Sequence, residues 1–423
     1  MPSSHLRISL AALALGALAL PAWPAARLTY QINGSPTPVI WQQSSFPIKY
    51  AVDRRLAAAS PEMAANVDRA FQEWAAVPDA DVSFDSVGVR DVKFGQDGVN
   101  SVTLFDELYQ GQKFIALTTP WYDTTNGNML EADIQLDPTA LTGNYNVGLL
   151  IEHEVGHLLG LDHSAVLSSV MYPYVGKGGL SALDSDEKIA IATLYPRMPV
   201  GGATLQGEVR GNDGGIFAAQ VVAVNDDGEP VATGLTNARG EFELRGVPAG
   251  NYRIYAEPLD GPVDSRNLSG VWRQAKMDSF PTQFMSKDPV RIDNGKVYGN
   301  LIVNSSGNMV QLNPRWIGAC AAGSSNISLT ATTAVLQRGK SVRLAVGGDG
   351  FTSGMTTFEV MNPGIRRVSN FEYASNYVYA DFNVAPTVSP GSAVILVHSG
   401  NDSATLTGAL RVEGPKRMRI ASR

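Results

Sequence analysis

Cysteine is almost absent from this 423-residue chain, which has Cys320 alone. No internal disulfide can form, so the fold must rest on packing and on bound ions. A lone thiol of this kind is expected to be a buried, inert side chain. Histidine is nearly as scarce, with five in all. Long apolar runs are missing too. Beyond the N-terminus nothing approaches the ~20 uninterrupted apolar residues of a membrane-spanning helix, which argues against membrane insertion. Nor is there an excess of basic residues. The net charge is −7, and it is uneven: residues 27–198 carry 21 acidic against 11 basic side chains, and residues 199–423 carry 19 against 21. Such a field disfavours nucleic acid as a partner and offers oxygen ligands for calcium, although a solvated acidic surface explains it as simply.

What is present begins with a leader-like N-terminus. Arg7 is followed by an apolar run from Ile8 to Leu20, then by small residues and prolines. This pattern reads as a secretory signal peptide over residues 1–26, cleaved near Ala26, and places the protein outside the cell. An uncleaved N-terminal anchor is the rival reading.

Residues 27–198 read as α+β. Short alternating runs ("LTYQI", "PIKYAV", "VSFDSV", "SVTLF", "FIALTT", "ADIQLD") predict a mixed sheet. Three helices accompany it. The first has Ser60 as N-cap and Pro61 at its first position, with Met63, Val67, Ala70, Phe71 and Trp74 on one stripe. A second starts near Asn146, and a third is "DSDEKIAIATLY", with its acids at the N-terminus where the helix dipole favours them. "PRMPVGG" then marks a linker. Beyond it, strand runs alternate with Gly, Asn, Asp and Pro turns, predicting two all-β sandwiches at 199–308 and 309–415 and a basic tail at 416–423. Residues 258–285 read as a long irregular insertion in the first of them.

Three of the five histidines fall within "HEVGHLLGLDH", residues 153–163. On a helix, residues four apart share a face, so His153 and His157 can reach one metal ion. Ile151, Val155, Leu158 and Leu159 occupy the opposite side, so the histidine face should look into a cleft. Gly160 permits a sharp exit from the helix, and His163 can return as third ligand. Three neutral imidazoles leave one position of a tetrahedral zinc open, as a catalytic site requires. Glu154, beside that position, can act as general base. HExxH alone is a weak signal, but here HExxHxxGxxH is complete, and "SSVMYPY" follows with Met171 placed as a Met-turn methionine. Alone, Met171 would read as core packing.

Residues 28–196 resemble the matrixin branch of the metzincin zinc peptidases, through "LTYQI", "AFQEW", "EADIQLD", "HEVGHLLGLDHS", "VMYP" and "LDSDEKIAIATLYP". The resemblance implies a metzincin fold, His153, His157 and His163 as zinc ligands, Glu154 as base and Met171 beneath the metal. It also implies that an edge strand around Phe114–Thr118 binds an extended protein or peptide substrate, with Ile115, Ala116 and Leu117 on the strand and Pro173 and Tyr174 on the opposite wall. The β half is similar to carboxypeptidase regulatory-like and, less specifically, IPT/TIG-like sandwiches. A bacterial source follows by analogy only.

The chain departs from the matrixin pattern in several places. No cysteine stands upstream to hold zinc in a latent form, and His5 and His398 cannot build a second histidine zinc site. Structural calcium is a candidate for that place, with Asp123, Asn126, Asp133 and Asp137 as candidate ligands. Tyr174 follows Pro173 directly, one residue earlier than the pattern. Two rival readings stand beside the peptidase: a surface- or matrix-binding protein acting through its sandwiches, with a vestigial or self-processing peptidase domain, and an astacin-like enzyme. Pro173 at the position of the astacin tyrosine disfavours the latter.

Overall fold

The computed structural model describes residues 23–24, 26–32, 35–105, 114–143, 145–174, 182–198, 201–276, 278–305 and 312–414. Most of the leader and the basic tail therefore lie outside the described residues.

The sheet of the first segment has five strands in the order Phe84–Arg90, Ile48–Asp53, Asn100–Leu104, Met129–Leu136, Ala116–Tyr122. The first four run parallel, and Ala116–Tyr122 runs antiparallel to Met129–Leu136, in register from Ala116↔Leu136 to Trp121↔Glu131, with a shift before Tyr122↔Met129. That last strand is an edge. The first helix, Met63–Ala75, buries Met63, Val67, Ala70, Phe71 and Trp74, the stripe read from its periodicity. It starts two residues later than Pro61, because the preceding residues form a turn in which Met63 N donates to Ser60 O at 3.1 Å. The histidine helix, Val147–Leu158, and a last helix, Ser185–Leu194, complete the predicted set, and two short helices, Arg54–Ala57 and Pro138–Thr142, add to it.

Two expectations need correcting. "LTYQI" does not join the sheet. Thr29–Ile32 forms a hairpin with Ser35–Pro38, and Leu28 N donates to Gly160 O at 2.9 Å, tying this strand to the exit of the histidine helix instead. Cys320 is unpaired but only half buried. It sits near the end of the strand Asn313–Ala321, between exposed Ala319 and Ala321, where the core tapers.

The C-terminal half is built of strands. Gln220–Asn225 pairs with Pro230–Leu235 and with Gly250–Glu257, and a second sheet centres on Ala203–Gly211. Leu205, Val221, Phe242 and Ile254 form one core between them. The remaining strands make two more sheets, around Ser341–Asp349 and Asp402–Val412, over a core of Ile317, Leu344, Phe382 and Ile395. The stretch after Glu257 is irregular, with two 3-10 turns, Ser265–Asn267 and Trp272–Gln274.

The three parts are not beads on a string. Leu167 and Tyr172, from the loop that carries Met171, pack into the last core. Trp23–Pro24, which cleavage near Ala26 would remove from the exported chain, pairs with Gly234 and Leu235 at the edge of a C-terminal sheet. Among the described residues no helix is long and apolar enough to cross a membrane.

Candidate metal centre

Asn146 caps the histidine helix, its side chain accepting from Leu149 N at 3.2 Å. The helix is more enclosed than an amphipathic reading allows. Leu149 to Gly156 are all buried, the polar Glu152, His153 and Glu154 included. Gly160 ends it with φ +92°, and a Cβ there would stand 2.6 Å from Val39 O, so both conformation and space demand glycine. The chain then turns back, bringing His163 to His153 and His157. A ligand nitrogen from each ring lies within 4.8 Å of the others.

The hydrogen bonds fix the tautomers. Each Nδ1 meets a backbone carbonyl: His153 with Val170 O at 2.6 Å, His157 with Leu161 O at 2.8 Å, and His163 with Asn267 O. A carbonyl can only accept, so each Nδ1 carries a proton, and Nε2 is the nitrogen each ring has left to offer a metal. Burial, reinforced by His163, lowers the pKa of His153 to about 3, and burial likewise holds His157 well below its ordinary value. Nε2 of His157 and of His163 lie 3.3 Å apart. Two lone pairs facing each other at that distance repel unless a cation sits between them. Nitrogens held at the usual Zn–N length of ~2.0–2.1 Å in a tetrahedron stand about 3.3–3.4 Å apart. The donor set therefore fits zinc.

Met171 is buried, and a Cβ built on Gly156 would lie 2.2 Å from its sulfur. Helix and Met-turn touch through a glycine. Glu154 is buried beside the histidines. Thr118 Oγ1, on the edge strand, donates to Glu154 Oε2 at 2.6 Å. Burial raises the Glu154 carboxyl to about 7, and the Thr118 bonds act in the opposite direction.

The matrixin peptidase family model matches residues 40–196. Karilysin of Tannerella forsythia is 51% identical over 43 residues, a stretch covering 10% of this chain and 9% of karilysin. Over residues 40–196 the chain is similar to the matrixin-type metzincin zinc peptidases. A solved structure described as a membrane anchored protein from Corynebacterium diphtheriae covers 51% of the chain at 9% identity and a TM-score of 0.14, too slight a likeness to carry an argument.

Other parts of the matrixin domain differ from the sequence reading. Ile115, Ala116 and Leu117 do lie at the start of the edge strand, with Ile115 O accepting from Asp137 N at 2.8 Å. Pro173 and Tyr174 end the described part of the Met-turn loop, and Tyr174 is 46% exposed. The four calcium candidates are not gathered into a site. Asp123 accepts from Thr125 and Asn126 within its own turn, Asp137 caps the helix Pro138–Thr142, and Asp133 accepts from Gly95 N and from Ser101 N and Oγ. Among the described residues, only the histidine trio meets the geometry of a three-ligand metal group.

Three contributors escaped the sequence reading. Thr118 was read only as part of a peptide-binding strand, although it holds Glu154. Gly156 was read as the unspecified x of HExxH. Asn267 lies 104 residues from the histidine it contacts, and a backbone carbonyl leaves no trace in residue identity.

Proposed function

We propose that the protein is a secreted, zinc-dependent endopeptidase that hydrolyses peptide bonds of extracellular proteins. The observation that carries the reading is the convergence of three imidazoles, each with its Nδ1 on a backbone carbonyl, beside a buried glutamate. His153, His157 and His163 would hold zinc, which supplies Lewis acidity toward the scissile carbonyl and the attacking water.

The residues of the chain do the rest. An extended substrate adds to the free edge of Ala116–Tyr122, its backbone pairing with a strand bonded on one side only among the described residues. Glu154 takes a proton from the attacking water and delivers it to the departing nitrogen. A carboxyl with a pKa of about 7 suits both steps, since it is an adequate base and an adequate acid near neutrality. Thr118 engages Oε2, which leaves Oε1 for the water and fixes the carboxylate plane. Strand and base are thus linked by one side chain, so the strand that receives the substrate also orients the proton acceptor. Met171 packs below the rings as a floor. The leader-like N-terminus supports export. Two sandwich modules, 199–308 and 309–415, are the reading of the C-terminal half that its paired sheets and shared cores support.

The test is zinc content together with turnover on an unstructured protein such as casein, with and without chelator. About one zinc per chain and chelator-sensitive cleavage abolished by Glu154→Ala are expected. Cleavage that survives Glu154→Ala, or a purified chain that takes up no zinc, would sink the reading.

A further inference from the structure

We infer that the turn Asp264–Ser269 of the C-terminal half is a working part of the zinc site, with Asn267 as a positioning residue for His163. The inference rests on the zinc reading above and extends it beyond the peptidase segment. His153 and His157 stand on a helix and are oriented by carbonyls from nearby in the chain, Val170 and Leu161. His163 is different. It lies on the loop beyond Gly160, and the carbonyl that accepts from its Nδ1 belongs to Asn267, outside the span matched by the matrixin family.

The turn is built to hold that carbonyl still. Asp264 Oδ1 accepts from Arg266 N at 2.8 Å, Asn267 Oδ1 accepts from Asp264 N at 3.0 Å, and Asn267 N donates back to Asp264 O at 3.0 Å. Leu268 anchors it, buried with Leu235, Leu259 and Trp272. A second link runs through Asp162. Its Oδ1 accepts from His163 N at 2.8 Å, while its Oδ2 accepts from Ser269 N at 2.8 Å and Ser269 Oγ at 2.7 Å. The ring of His163 is thus fixed by Asn267, and its backbone is fixed to the same turn by Asp162. Asn267 Nδ2 also donates to Tyr174 OH at 3.2 Å, so the turn holds a residue of the Met-turn wall as well. A ligand on a loop must be ordered before it can bind, and a partner on the far nitrogen fixes both its tautomer and its direction. Here that order comes from a different part of the molecule.

The test uses the full chain and reads zinc affinity by competition with a chelating indicator, alongside melting of the metal-free protein. Replacing residues 264–267 by four glycines keeps Leu268 but frees the carbonyl, and is expected to weaken zinc binding roughly 10–100-fold. Ser269→Ala should weaken it several-fold, while Lys296→Ala, at an exposed pair with Asp293 in the same half, should leave it unchanged. Zinc affinity within twofold of wild type for both site variants overturns the inference, as does a loss that only tracks a lowered melting temperature. If the glycine variant does not fold, Ser269→Ala decides alone. Zinc held normally by the wild type without peptide cleavage would refute the endopeptidase reading and leave this one standing, whereas a wild type that binds no zinc refutes both.

Discussion

Arg411 Nη1 lies 2.6 Å from Asp184 Oδ1, across 227 residues of sequence. Asp184 is the N-cap residue of the last helix of the peptidase domain, and Arg411 stands on a strand of the last sheet pair. Both side chains are largely buried, and Arg411 also offsets part of the charge repulsion that helps push Glu152 up to about 8, where burial is the larger cause. Removing one partner of such a pair leaves a buried charge uncompensated, which costs about 3–5 kcal/mol. Arg411→Ala is therefore expected to destabilise the peptidase domain by roughly 3 kcal/mol. Denaturant unfolding followed by tryptophan fluorescence, to which the buried Trp41 and Trp74 of the peptidase segment contribute, measures it. A change below about 0.5 kcal/mol, the range of ordinary surface substitutions, would mean that the two halves are not coupled here.

Thr118→Val tests the link between the substrate strand and the base. The Thr118 hydrogen bonds favour the ionised form of Glu154, so their loss should raise its pKa further above 7. A base works only when deprotonated. The acidic limb of the kcat/KM profile should move to higher pH, with roughly tenfold loss at pH 6 and little change at pH 8. An unmoved limb with a uniform fall in rate would show that Thr118 acts on binding alone.

These two contacts mark the boundary of what the sequence makes legible. The histidine trio, Glu154, Met171 and the buried stripe of the first helix could be read because their spacing follows a helical period or a fixed motif. Asp123 and Asp137 were ambiguous in the sequence because an Asp two residues before a Thr serves equally well as a local cap, and here each accepts from that Thr. "LTYQI" has the alternation of a sheet strand, but alternation carries no information about which partner is chosen. Asn267 and Arg411 act on the peptidase domain from the C-terminal half, and no local pattern in the sequence relates positions that far apart.

Glu257 gives a pH prediction at the seam of the two C-terminal parts. It is buried, accepting from Gln220 Nε2 at 2.8 Å, Thr407 Oγ1 at 2.6 Å and Thr405 Oγ1. Burial raises its pKa from 4.5 to about 7 despite these bonds. The folded state therefore holds a proton that the unfolded state has released between these values. Its contribution to stability is fully present below about pH 4.5 and is lost as pH rises through 7. The loss is on the order of 3 kcal/mol. Glu257→Gln cannot ionise, so its stability between pH 5 and pH 8 should be flatter than that of the wild type, with the largest gain at pH 8. Parallel curves from urea titrations at several pH values would contradict the assignment.

Gly156 gives the sharpest contrast, because the same helix contains its control. In a helix interior Ala is favoured over Gly by up to about 1 kcal/mol. At Gly148 a Cβ would meet only Asn146 Oδ1, at 3.4 Å, so Gly148→Ala should be neutral or slightly stabilising. At Gly156 it would meet Met171 Sδ at 2.2 Å and Trp74 Cζ2 at 2.9 Å. Trp74 cannot retreat easily, since its Nε1 donates to Glu152 O at 2.9 Å and its ring is fully buried. The helix must then lift from the Met-turn or the methionine must be displaced. Overpacking of this kind costs typically 1–3 kcal/mol, more than the propensity gain returns. Gly156→Ala should lower the melting temperature and, by shifting His153 and His157 against His163, weaken zinc binding as well. Equal stability of the two alanine variants would mean that the glycine between the histidines is not what lets the helix rest on Met171.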